Sequence, residues 1–334
     1  MQLIDTLSTG FRLVGRRVWL IVLPVVIDLW LLFGPRLSIQ PVVDDMMNLW
    51  STDGLPPDLV QTAEPFRQML AQIGPTFNLW WLLDNSLTWL QTAMPRLSPV
   101  LDITSLQATS EVSWLALLLW TPLIAVIGLG LGSAFLTLIA SQMPAVPTPA
   151  QEPEVESVAA VKKPRFFWLR RGLRTWSMVV VYGLILFVLI TTLLFVVSLA
   201  LTPIMMITPQ LASALAALVA LVIIWAGLWI YLVLYFVVAA LVLDGTGLVD
   251  SLRRSFYVVT RNFWSSLGLV ILTAVILTGF GLIWQRIAVF SPVGIAVAIG
   301  GNALLLTGLT AARLVFYRDR YAARGESPAA VPVK

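Results

Sequence analysis

The sequence predicts an all-α fold: a polytopic membrane helix bundle of about six transmembrane helices, with interfacial elbow helices and a small helical extracytoplasmic region. Three observations carry that prediction. Hydrophobic residues make up 59% of the 334 and charged residues 11%, against about 45–50% and about 25% in a soluble globular chain. Residues 175 to 243 contain no Asp, Glu, Lys or Arg, a run several times the ~20 apolar residues that cross a bilayer once. Between two long apolar runs lies a charged, amphipathic island at 243–267, which sorts the chain into spans.

Composition also narrows the chemistry. The chain has no Cys and no His, which excludes disulfides, thiolate metal sites, a cysteine nucleophile, a Ser-His-Asp triad and His-ligated zinc or haem. Only carboxylates, hydroxyls, amides, Lys and Arg remain. No catalytic residue, metal or cofactor is expected.

Residues 1–37 hold an interfacial helix and the first span. Leu3, Leu7, Phe11 and Val14 share one helical face, with Asp5 and Arg12 off it. Arg16 and Arg17 introduce a span at 18–33, kinked by Pro24 and ended by Gly34-Pro35. No small-residue cleavage site follows Phe33, which argues against a cleaved signal peptide.

Residues 38–113 form the extracytoplasmic region. A helical stretch opens at Pro56-Pro57, with Pro65 a breaker inside it. A second stretch carries Trp80, Trp81 and Trp89. It either lies along the outer membrane surface or packs the core of a small helical ectodomain.

The second span is 114–143, with Ser113 as its N-cap. Its Gly128 and Gly132 form a GxxxG that lets another helix approach closely. Residues 144–167 are rich in Pro, Ala and Glu and read as a disordered cytoplasmic loop. Residues 168–334 hold the third to sixth spans. A turn is expected at 202–209, and the fourth span, at 211–243, would extend ~50 Å as one helix, so it must tilt, break near Gly227 or project from the bilayer. An elbow helix is expected at 247–261, capped by Thr246 with Asp250 in its first turn. The fifth span starts at Asn262 and the sixth at Ser291-Pro292.

Charge sets the orientation. With both termini cytoplasmic, only Arg36, Arg67, Arg96 and Arg286 of the 21 Lys and Arg lie outside, as the positive-inside rule requires. A bacterial plasma membrane is the expected location. The basic residues Arg16, Arg17, Arg165, Arg170, Arg171, Arg253, Arg254 and Arg261 lie beside aromatic residues at span entrances. They are expected to anchor anionic lipid headgroups at the cytoplasmic face, and nucleic acid is not an expected partner. Protein partners or a second copy of the chain are also open.

An internal pattern accompanies these segments. Phe11, Arg16 and Trp19 recur in spacing as Phe256, Arg261 and Trp264, and Trp168 and Trp176 keep the outer spacing before the third span. Each outward span would then have its own in-plane elbow. Two polar residues fall inside apolar runs. Asp28 is an intramembrane carboxylate, a candidate for proton or ion coupling or for a structural pair with Arg36 or Arg286. Asn302 sits beside Gly300 and Gly301 and is a candidate interhelical bridge.

The run at 247–264, with Asp250-Ser251-Leu252-Arg253-Arg254-Ser255-Phe256 and then Arg261-Asn262-Phe263-Trp264, resembles the multi-pass membrane domain attached to some glycerophosphoryl diester phosphodiesterases. It also resembles related bacterial membrane families of unknown function. The resemblance implies a six-helix bundle in a bacterial plasma membrane. It implies no phosphodiesterase activity, since that activity belongs to a separate barrel with catalytic His. The expected function is that of a non-enzymatic membrane protein organising lipids or partner proteins. The alternatives are a small permease or lipid exporter using the Asp28 and Asn302 region, and an intramembrane enzyme.

Overall fold

The computed structural model describes residues 3–49, 57–84, 87–101, 107–143 and 167–323. The predicted loop at 144–167, Arg165 within it, and the tail after 323 lie outside the described residues, except that Phe167 opens a helix. The fold is an all-α polytopic bundle. In chain order the helices are α1 (Leu3–Arg16), α2 (Val22–Phe33), α3 (Gln40–Leu49), α4 (Pro57–Thr76), α5 (Met94–Leu97), α6 (Trp114–Ser141), α7 (Phe167–Ile207), α8 (Pro209–Leu234), α9 (Val237–Asp244), α10 (Leu248–Arg261), α11 (Phe263–Phe290) and α12 (Pro292–Ala322). Short 3-10 turns at Val18–Ile21 and Leu79–Leu83 and a two-stranded ladder complete the described fold.

Five helices are long and apolar enough to cross a membrane, carried by α6, α7, α8 with α9, α11 and α12. The predicted first span, Val18–Phe33, is shorter and opens with a 3-10 turn. The chain folds into two compact units. Unit 1 is Met1–Leu13, Leu136–Ala274 and Leu309–Lys334; unit 2 is Val14–Phe135 and Val275–Gly308.

In unit 1 the buried core is made of Leu136 and Ile139 of α6, the whole of α9 from Val237 to Val242, and α12 from Leu309 to Tyr317. Phe236 stacks on Phe316 at 5.4 Å, and the Arg313 guanidinium lies 3.5 Å over the Tyr235 ring. The α7–α8 hairpin is the opposite case. None of the apolar window of α7 and only 6% of that of α8 is buried. Helices apolar on every side and left bare belong in lipid.

Two expected breaks move. The turn placed at 202–209 shrinks to Thr208, because α7 runs through Pro203 to Ile207. Pro203 removes one N–H and so frees a single carbonyl, that of Leu199, and in an apolar medium the helix continues past such a break because the rest of its backbone has no other partners. The long fourth span breaks at Tyr235 and Phe236 rather than near Gly227. Ser255 of α10 occupies that break, its hydroxyl donating to the Val233 carbonyl at 2.5 Å and accepting from the Phe236 N–H at 3.2 Å.

The elbow helix stands where the sequence places it. Gly247, however, is the N-cap of α10, and Thr246 bonds the Ser251 hydroxyl at 2.9 Å instead of a backbone N–H. Its C-terminal break at Asn262 (φ −125°, ψ 40°) has a counterpart at Arg17 (φ −140°, ψ 63°), just after α1. Both helices are 14 residues long. Aligned on these breaks, Leu3, Asp5, Leu7, Phe11, Val14, Arg16 and Trp19 coincide with Leu248, Asp250, Leu252, Phe256, Val259, Arg261 and Trp264. The buried line repeats as well: Thr6, Gly10 and Val14 match Ser251, Ser255 and Val259. Gly10 lies against Ala312 of α12, so close that a Cβ would meet its N at 2.5 Å. The third expected elbow is not separate. Residues 167–176 continue without a break into α7, which carries Arg170 and Arg171 in its first turns.

Candidate functional site

The polar residues singled out inside apolar runs converge in unit 2 on one irregular segment, described at Asp84 and at 87–97. The stretch from 77 to 94 is expected to be helical, yet among the described residues from 77 to 97 only Leu79–Leu83 and Met94–Leu97 are, and Trp89 takes a left-handed φ of 59°. The segment folds inward. Thr88, Trp89, Leu90, Thr92, Ala93, Met94 and Leu97 are buried, so the reading of the tryptophans as core holds for Trp89, without the helix. Trp80 packs edge-on against Trp30 at 5.6 Å.

Non-helical backbone must find partners for its N–H and C=O groups, and away from water those partners must be protein. Asp28 on α2 supplies two of them. Its Oδ1 accepts from the Ala93 N–H at 2.8 Å and the Met94 N–H at 2.9 Å, so that a side chain on one helix caps α5. Asp84 accepts from the preceding N–H, that of Thr92, at 3.2 Å. Three consecutive N–H groups are thereby held by two carboxylates. The expected pairing of Asp28 with Arg36 or Arg286 does not occur: the Arg36 guanidinium donates to the Pro75 carbonyl, in the region of the β1 (Arg36–Ser38) and β2 (Thr109–Glu111) ladder.

The remaining partners come from α11 and α12. Arg96 donates to the Leu277 carbonyl at 3.3 Å and to Gln91 Oε1 at 3.0 Å. Gln285 donates to the Arg96 carbonyl at 2.8 Å. Asn302 lies within 3.5 Å of the Gln91 carbonyl, so it bridges to the irregular segment and not to a neighbouring helix. Ten residues into α12, it sits ~15 Å from the start of that helix.

Gly128 and Gly132 complete the seat: close approach is as expected, but what approaches is a short 3-10 turn at Gly128 and irregular backbone at Gly132, not a second span. A Cβ at Gly128 would meet the Leu82 carbonyl at 2.9 Å, and one at Gly132 would overlap the Thr88 side chain. Gly128 of α6 makes room for the 3-10 turn at Leu79–Leu83, and Gly132 for the folded-in segment that follows it. Burial pushes the Asp84 carboxyl up to about 6, and the Thr92 N–H and the Arg96 charge restrain that rise. Oδ2 of Asp28 is buried without a hydrogen-bond partner among the described residues.

A second polar cluster lies in unit 1. Asp244 accepts from Arg254 at 2.6 Å and from the Tyr317 hydroxyl at 2.7 Å, and Arg254 lies 4.8 Å over the Tyr321 ring. Arg254 therefore ties α10 to α9 and α12. Arg16, Arg17, Arg253 and Arg261 are exposed. Tyr257, Thr260 and Arg261 line an open surface depression of about 560 Å³.

The chain matches no protein-family model, no curated protein and no solved structure.

One feature of the site escapes a reading of the sequence. The capping of Ala93 and Met94 by Asp28 spans 65 residues, and no local pattern announces it. The match between residues 3–19 and 248–264, in contrast, is present in the sequence over its whole length and needs only the shared break to fix the register.

Proposed function

We propose that this chain is a non-enzymatic, multi-pass protein of a bacterial plasma membrane, both termini cytoplasmic, that organises lipids and partner proteins. One observation carries the reading. The polar groups gathered in unit 2, buried Asp28 and Asn302 and half-buried Gln285, bond the backbone of the protein's own irregular segment, whose Arg96 in turn bonds the Leu277 carbonyl, while Arg16, Arg17, Arg253, Arg261, Trp19, Trp264 and the α7–α8 hairpin face outward. Polar groups engaged in holding backbone fix a structure; exposed basic and aromatic groups at span entrances contact lipid. The resemblance of 247–264 to the membrane domain of glycerophosphoryl diester phosphodiesterases supports a bundle of this kind and brings no reaction with it.

A small permease is the second reading, favoured by the buried, unpartnered Oδ2 of Asp28 and the proximity of Asp84. Extraction in mild detergent followed by native mass spectrometry separates the two. Lipids or proteins retained in fixed ratio to the chain support the organising role. Solute movement into vesicles that Asp28→Asn abolishes, with fold and abundance intact, replaces it with the permease.

A further inference from the structure

We propose that the elbows after α1 and α10 are duplicated sites for the phosphate of an anionic phospholipid, each built on an exposed Arg followed three residues later by an exposed Trp. The assignment deepens the lipid-organising reading and rests on it. Its ground is the repeated construction. Two helices of equal length, identical at seven of the 17 aligned positions from 3–19 to 248–264, end in backbone breaks of similar conformation. The inward positions of the two helices have diverged to fit different seats, Gly10 against Ala312 and Ser255 in the α8–α9 break. At the break itself Arg16 and Trp19, like Arg261 and Trp264, keep identity and exposure, with Trp19 48% and Trp264 80% exposed.

Packing does not require that agreement, because among the described residues neither Arg16 nor Arg261 has an acidic partner. The surroundings name the ligand. On α10 an apolar stripe of Val249, Leu252 and Phe256 is exposed beside the charged Asp250 and Arg253, and Trp264 follows at the entrance to the α11 span. An apolar stripe, an indole and a guanidinium at the mouth of a span belong at the headgroup boundary, where acyl carbons cover the stripe and phosphate meets the cation. At this elbow the depression lined by Tyr257, Thr260 and Arg261 is large enough, at about 560 Å³, to admit a headgroup. Guanidinium is the side chain whose fork of donors matches phosphate oxygens.

The test uses the full chain in nanodiscs of phosphatidylcholine mixed with phosphatidylglycerol, transferred to mild detergent for native mass spectrometry. Wild type is expected to retain about two phosphatidylglycerol molecules per chain, one per elbow. Arg16→Gln and Arg261→Gln should each lose one and the double variant both, while Arg261→Lys, which keeps the charge, retains part of the binding. Arg286→Gln, an exposed arginine elsewhere on the chain, should match wild type, and melting curves check that each variant is folded. Counts that do not respond to Arg16 or Arg261, that fall equally in Arg286→Gln, or that inorganic phosphate alone displaces would overturn the assignment. If the elbow variants leave the counts unchanged while other lipids or proteins still copurify, the organising role survives and the elbow sites do not.

Discussion

Asp28, a carboxylate inside an apolar run, holds backbone 65 residues away. Its Oδ1 holds the Ala93 and Met94 N–H groups, and leaving two buried donors unpaired costs about 2–5 kcal/mol. Asp28→Ala should therefore melt well below wild type in detergent, and Asp28→Asn, which keeps the accepting oxygen, should lose much less. Equal losses would show that charge, not hydrogen-bond capacity, matters there. Asp84 gives a pH test. Its carboxyl is raised from 3.8 to about 6 chiefly by burial, so the folded state holds the proton more tightly than the unfolded one. The stability this adds is fully present below about pH 4 and is lost as pH rises through about 6. Melting temperature across that window should fall with rising pH, and Asp84→Asn should flatten the slope; an unchanged slope in the variant would assign it to other groups. At Gly132 a methyl group would overlap Thr88, its hydroxyl first, so Gly132→Ala should destabilise by about 1–3 kcal/mol, and Thr88→Ala, which removes that hydroxyl, should recover part of the loss.

At the scale of elements, the fold rests on helix breaks that other elements fill. The gap between α8 and α9 is closed by one hydroxyl, that of Ser255. Ser255→Ala should lower stability by about 1–3 kcal/mol and should speed hydrogen exchange at the Phe236 amide; unchanged exchange there would place the closure elsewhere. The starts of α6, α10 and α12 were legible because local chemistry sets them: Ser113 and Ser291 cap the two spans, and Gly247 precedes α10. The path of 84–97 was not. Its apolar spacing suits a helix, and what overrides that spacing is capture of three consecutive N–H groups by two carboxylates, one of them far away in sequence. Pro203 misled for a related reason, since a proline that ends a helix in water is tolerated where the backbone has no water to turn to. Gly128 and Gly132 signalled close approach, and only the fold shows what approaches.

For the whole molecule, the elbows, the basic residues and both termini share one face in the proposed topology, while Arg36, Arg67, Arg96 and Arg286 lie on the other. That arrangement puts the duplicated elbows in the cytoplasmic leaflet and the 84–97 segment toward the outside. The chain has no Cys, so single cysteines report position without background. With an impermeant thiol reagent on intact cells, a cysteine at Ser51 should be labelled and one at Ser157 should react only after permeabilisation. Labelling of Ser157 and protection of Ser51 in intact cells would contradict the topology, and with it the placement of the elbows against cytoplasmic lipid.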